Sequence, residues 1–248
     1  AIIEGFQSYE DETLWHYEAG VKSRFGGMTV NAAAFYTDIE NLQTTLDAGS
    51  CSSRVVFNVP KAHTMGLEAE LSGEIAPGLD IGVSGSWVEA EFDSTVRDGL
   101  GNVIGGIREG NRLPSVPEFQ VSLNATYTWQ AAPNADGYVT VSFQHVGSRY
   151  TQASDQENNP RSFVSGLPFG GASGADATVL DLELPGYEIV NLSAGVEMDS
   201  GLDLVVYVNN VFDENPLLSF DRERGGRARL GYTVGQPRIV GLTVRKAF

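Results

Sequence analysis

The chain has 248 residues carrying 32 acidic and 16 basic side chains, a formal net charge of −16. That length suits one large all-β unit or two small domains, and the acidity excludes nucleic acid as a natural partner, because a phosphate backbone demands a basic patch. The longest apolar run, Ala32 to Tyr36, falls far short of the roughly 18 residues of a spanning helix, which excludes a helical membrane protein but not a barrel.

In chain order, nine strands are expected, at about 14–25, 28–42, 54–74, 79–92, 118–129, 137–150, 186–198, 202–212 and 236–248. The signal is a period of two. In the third strand Met65, Leu67, Ala69 and Leu71 alternate with Gly66, Glu68, Glu70 and Ser72. In the fourth, Leu79, Ile81, Val83 and Trp87 alternate with Asp80, Gly82, Ser84 and Ser86. The fifth sets Phe119, Val121, Leu123, Ala125, Tyr127 and Trp129 against Gln120, Ser122, Asn124, Thr126 and Thr128. Val139, Val141 and Phe143 of the sixth continue the pattern against Thr140, Ser142 and Gln144, as do Leu202, Leu204, Val206 and Val208 of the eighth. A helix would scatter these sets around its axis, whereas a strand separates them onto two faces.

The connections alternate in length. Short turns rich in Gly, Pro and Asp are expected at Phe25-Gly26-Gly27, Ala76-Pro77-Gly78, Ala131 to Asp136 and Asp199-Ser200-Gly201. Long segments lie between them, at about 43–53, 93–117, 151–185 and 213–235. Short turns at one end and long loops at the other are the layout of a transmembrane barrel. Trp15, Tyr17, Trp87, Tyr127, Trp129, Tyr138 and Tyr150 fall near strand ends, where aromatic girdles mark the lipid–water boundary. The polar positions, among them Glu68, Glu70, Asp80, Asn124 and Gln144, then line the interior. A soluble sandwich with one wet face would show the same alternation, and that reading stays open here.

Few residues offer chemistry. His16, His63 and His145 are scattered without metal-ligand spacing. The pairs and triplets Glu89/Glu91/Asp93 and Asp221/Glu223 suit solvated loop charge better than a calcium site. There is no Gly-x-Ser-x-Gly elbow, and Gly101 to Gly110 lacks the Lys-Ser/Thr of a phosphate loop, so it is expected to be a flexible surface loop. The one basic cluster is Arg222, Arg224, Arg227 and Arg229, in the last long loop. Its guanidinium groups suit an anionic ligand, and an Arg/Asp/Glu surface network is the plainer account. Cys51 is the single cysteine, so any disulfide partner lies outside this chain. The chain begins at Ala1 with neither an initiator Met nor a signal peptide, and a partial sequence is expected.

Several segments resemble the TonB-dependent outer-membrane receptors, in that family's order. Tyr17-Glu18-Ala19-Gly20-Val21-Lys22, Phe35-Tyr36-Thr37-Asp38, Gly66-Leu67-Glu68-Ala69-Glu70 and Leu113-Pro114-x-x-Pro117 are similar to its recurrent pieces. Gly186 to Gly195, Asn209-Asn210-Val211-Phe212-Asp213 with Asn215-Pro216, and Gly235 to Val244 closing at Phe248 are similar to its last three strands. The resemblance implies that residues 1–248 are the C-terminal part of a 22-stranded antiparallel barrel that encloses a plug, with the first strand here near the family's fourteenth. It also implies that the plug domain and the N-terminal strands are absent from the chain. An odd set of nine strands would leave edges unpaired in lipid.

The function so implied is active import of a scarce nutrient across the bacterial outer membrane, a ferric siderophore foremost, with no catalysis and no cofactor. The implied partners are TonB acting through the plug, the ferric siderophore at the outer loops, outer-membrane lipid, lipopolysaccharide and the barrel-assembly machinery. Val240, Leu242, Val244 and Phe248 match the terminal signal read by that machinery, although Lys246 interrupts the alternation. A lysine can snorkel at the membrane boundary. Two other classes remain. A barrel enzyme of omptin or phospholipase type would need Asp/His or Ser/His pairs at the loop ends, and a soluble sandwich or adhesin module would stay in solution without detergent.

Overall fold

The computed structural model describes residues 8–47, 54–163, 178–222 and 230–247. Its strands in chain order are β1 (Thr13–Phe25), β2 (Met28–Asp47), β3 (Arg54–Ala76), β4 (Leu79–Phe92), β5 (Phe119–Ala132), β6 (Ala135–Val146), β7 (Arg149–Tyr150) and β8 (Arg161–Phe163). There follow β9 (Thr178–Leu180), β10 (Glu183–Leu184), β11 (Tyr187–Met198), β12 (Leu202–Asn209), β13 (Leu217–Arg222), β14 (Leu230–Val234) and β15 (Ile239–Lys246). Nine of them form one antiparallel sheet in the order β1-β2-β3-β4-β5-β6-β11-β12-β15, an open segment of barrel with β1 and β15 as its edges. The six short strands pair into three ribbons within the long connections.

The register sorts the side chains as the alternation requires. Ala19, Ala34, Leu67, Trp87 and Phe119 stand side by side on one face. On the same face Ser23, Val30, Leu71, Val83, Leu123, Phe143 and Val190 form a parallel row. Opposite them run Lys22, Asn31, Glu70, Ser84, Ser122 and Gln144, with Asn31 donating to Glu70 at 3.0 Å and Asn191 donating to Ser142 at 3.0 Å. Among the described residues nothing packs across the apolar face: Leu67 and Val206 are each 56% exposed and Val240 is 72% exposed. A sandwich would bury those rows, so the soluble sandwich reading is overturned. From Phe119 to Trp129 the apolar side of β5 runs about 33 Å at about 3.3 Å per residue. Tilted by about 40°, it covers the ~25 Å band expected of an outer-membrane barrel.

Turn chemistry sets the strand ends. Gly26 and Gly27 have φ of 56° and 84°, the two positive values that a two-residue type I′ hairpin needs. The expected turn from Ala131 to Asp136 is tighter, because β5 and β6 leave only Pro133 and Asn134 between them. Residues 43–47 of the expected 43–53 loop continue β2, and 48–53 lie outside the described residues: β2 and β3 have 20 and 23 residues, about twice the 9–11 that cross a membrane. Their hairpin therefore projects beyond the lipid at the loop end. The eighth expected strand stops at Asn209, because Asn210 turns the chain at φ 54°. The sixth stops at Val146, and the chain leaves the sheet to form β7.

Two dry clusters sit at the loop end. One joins Ile39, Phe57, Val59 and Ala62 of the β2–β3 hairpin to Phe92, Ile104, Ile107 and Ala153. The other gathers Leu182, Leu184 and Phe220 under the β13–β14 ribbon. Ile104 is 9% exposed and Ile107 fully buried, so the stretch from Gly101 to Gly110 is a packed segment and not the flexible surface loop expected.

Candidate functional site

All the long connections leave the same end of the sheet, and their polar groups form a layer above the inner wall. The 93–118 connection folds back on itself through the bridges Arg97–Val103 and Glu91–Arg112. Its tip is an Asp-centred turn: the Asp98 carboxylate accepts from the backbone of Leu100 and Asn102 at 2.9 and 2.8 Å. The Asn102 side chain and those backbone donors hold the Asp98 carboxyl below the usual range.

Beside it, the 147–186 connection makes a 3₁₀ turn at Ala153–Gln156, and Glu157 follows. Arg108 donates to Glu157 in a bidentate pair, Nε at 2.9 Å and Nη2 at 2.8 Å, and Asn111 adds a third bond at 2.9 Å. These hydrogen bonds, Arg108 first, lower the Glu157 pKa to about 2. Asp181, which accepts from Asn159 at 2.6 Å, is likewise held low by that bond.

Two further arginines anchor the base of this layer. Arg112 donates to the carbonyls of Val116 and Ser148 at 3.1 and 2.8 Å, lies near Glu118 and Glu183 and covers the Tyr150 ring at 5.9 Å. Burial raises the Tyr150 pKa. Arg149 is buried, with Nη2 bonded to the carbonyls of Leu217 and Leu218 at 3.2 and 3.0 Å and its guanidinium over Tyr187 at 5.6 Å. Its Nη1 is buried without a hydrogen-bond partner among the described residues, a costly state for a cation. Asn210 closes the last connection. Its side chain donates to Glu214 O at 2.7 Å and Gln236 O at 2.9 Å and accepts from Glu214 N at 2.8 Å.

The structure treats the expected site residues unevenly. Arg222 ends β13, its backbone paired with Leu230, while Arg224, Arg227 and Arg229 lie outside the described residues, as do Cys51, Glu223 and Phe248. Val240, Leu242 and Val244 stand on the apolar face of β15 opposite Val208, Val206 and Leu204. Lys246 lies on the same face and turns to the Ser200 carbonyl at the short-turn end. Tyr138 is not part of the girdle: it faces inward, and its hydroxyl donates to Asp203 at 2.9 Å. Tyr150 belongs to the loop layer instead. Each histidine pairs locally with a carboxylate, His63 with Asp93 at 2.8 Å and His145 with Glu188 at 3.0 Å, and His16 with Glu18 at 3.4 Å. Among the described residues no group of three or more His, Cys, Asp or Glu is placed to hold a metal. Arg108, Arg112, Arg149 and Glu157 carried no local signal. Apart from the Val116 and Glu118 contacts of Arg112, the partners named above are tens of residues away, and only the Leu113-Pro114-x-x-Pro117 piece beside Arg112 pointed to the region.

Comparison with known proteins agrees with this architecture. The chain is similar to the pesticin receptor of Yersinia pestis, 23% identical over 233 residues covering 94% of this chain and 29% of that protein. It is similar also to the metal-pseudopaline receptor CntO of Pseudomonas aeruginosa, 26% identical over 211 residues covering 84% of this chain and 24% of that protein. The crystal structure of the ferric yersiniabactin uptake receptor FyuA from Yersinia pestis shares the fold with a TM-score of 0.70 at 22% identity, over 96% of this chain and 30% of that one. The chain thus spans less than a third of the length of these relatives. The model of the TonB dependent receptor-like β-barrel matches residues 3–211, and the chain belongs to that family of bacterial outer-membrane barrels.

Proposed function

We propose that the complete receptor imports a scarce metal chelate, a ferric siderophore foremost, across the outer membrane under TonB drive. In this reading residues 1–248 are the C-terminal part of its barrel, and the remaining strands and the plug belong to the rest of the protein. The observation that carries the reading is the division of one sheet into a lipid-facing band, a polar inner wall and a single end bearing every long connection. A plug would face the row of Lys22, Glu70 and Gln144, and TonB would act on that plug. The names of similar proteins, a ferric yersiniabactin uptake receptor and a metal-pseudopaline receptor, favour a small metal carrier over other nutrients. The chain's part is transport, not catalysis.

Within this reading Arg222, Arg224, Arg227 and Arg229 capture the anionic groups of the chelate, or lipopolysaccharide phosphates, through paired guanidinium bonds. Val240, Leu242, Val244 and Phe248 present the last strand to the barrel-assembly machinery. The test is uptake of radioactive iron from a panel of ferric siderophores under iron starvation. Deleting the gene, or tonB, is expected to abolish uptake of at least one chelate, and replacing the four arginines by alanine to weaken its capture. Undiminished uptake of every chelate in the gene deletion would sink the proposal.

A further inference from the structure

Two of the long connections are joined to each other by three chemically different ties. Ile104 and Ile107 of the first share a dry core with Ala153 of the second, closed by Phe57 and Phe92. Gln156 then reads the Arg112 backbone as a neighbouring strand would, accepting from its N–H at 2.9 Å and donating to its carbonyl at 2.8 Å. Finally, the Glu157 carboxylate is gripped by Arg108 and Asn111. Gly106 sits where the two segments cross. A Cβ there would lie 2.5 Å from the Ser154 Cα, and its φ is +74°, so only glycine permits this approach.

An exposed ion pair alone contributes little, and a single amide pair is no stronger. Their combination differs because none can open singly. Parting the segments breaks the Arg108–Glu157 fork, strands the Gln156 and Arg112 amide groups and wets Ile107 in one step. Packed contacts of this kind switch between discrete arrangements and do not flex continuously.

We propose that residues 93–118 and 147–163 form one rigid wall of the extracellular mouth, two loops that do not open against each other and that the Arg108–Glu157 clamp locks together. The rigidity stands whatever the cargo; only its place in ligand capture rests on the receptor reading above. Nitroxide labels at Leu100→Cys and Ser162→Cys, both exposed, in a Cys51→Ser background of the whole receptor in outer-membrane vesicles, measure it directly. The expected result is a single narrow distance distribution, its width at least doubling in Arg108→Glu and in Gly106→Val. Narrowness should return in the charge swap Arg108→Glu/Glu157→Arg. If Gly106→Val fails to assemble, Glu157→Gln, which preserves volume, takes its place. A broad or two-peaked wild-type distribution overturns the rigid wall, and a distribution left narrow by Arg108→Glu and Glu157→Gln overturns the clamp. A receptor that keeps the narrow peak yet imports no chelate counts against the transport reading alone.

Discussion

Glu157 illustrates how a single carboxylate sets the behaviour of a loop layer. Its pKa falls from an ordinary 4.5 to about 2 because Arg108 and Asn111 bond the ionised form. A group depressed on folding stabilises the fold fully above its unfolded pKa and loses that contribution as pH falls toward the folded one. Wild type should therefore melt above Glu157→Gln at neutral pH, with the calorimetric gap constant down to about pH 4.5 and closing between there and about pH 2. A gap independent of pH across that window would contradict the assignment. Asn210 acts by geometry instead. It is 4% exposed, and its side chain bonds Glu214 twice and Gln236 once. Asn210→Ala leaves those backbone groups without partners, at a cost of about 1–3 kcal/mol, read as a lower urea midpoint of receptor refolded in vesicles. Asn215→Ala, an exposed neighbour with one bond to Asp213, should change it by no more than about 0.5 kcal/mol.

A strand in this fold is defined by which side its residues take. Leu242 and Thr243 are adjacent on β15, yet the register pairs the first with Val206 on the lipid side and the second with Val205 on the inner side. Leu242→Arg should cost about 2–4 kcal/mol if it lies near the midplane, while Thr243→Arg should be nearly neutral. Folding yield into vesicles separates them, and equal costs would refute the facing. The period of two carried this assignment from sequence alone. Placing Tyr138 in the girdle goes against that same period, since it shares its side with Thr140 and Ser142 and faces inward. Strand ends were harder to read. Residues 43–47 extend β2 past its expected end at 42, in a hairpin longer than any membrane requires, and hydrophobic alternation does not measure length beyond lipid. Strands as short as β7 and β10, with two residues each, have no period to detect. The loop layer was the least legible part, because Arg108 and Glu157 are 49 residues apart and nothing local marks either as the other's partner.

At the scale of the whole molecule the edges decide what the sheet can do. β1 and β15 each have one neighbour, so each presents a row of backbone N–H and C=O groups to whatever lies beside it. In hydrocarbon every such unpaired group costs several kcal/mol, and a handful of them outweighs the roughly 5–15 kcal/mol that holds a typical folded domain together. The open sheet is therefore not expected to be a stable membrane species by itself, and in the receptor reading proposed above further strands pair with both edges. This chain, refolded alone into vesicles, should give no monomer that resists protease and migrates faster before boiling than after. The same residues joined to the strands that complete the barrel should give both signatures. Amide hydrogen exchange adds a finer reading, since β4 and β5, in the middle of the sheet, should protect only when the edges are closed. A protected, heat-modifiable monomer from this chain alone would mean that β1 and β15 can pair with each other, and nine strands would then have closed through a parallel seam.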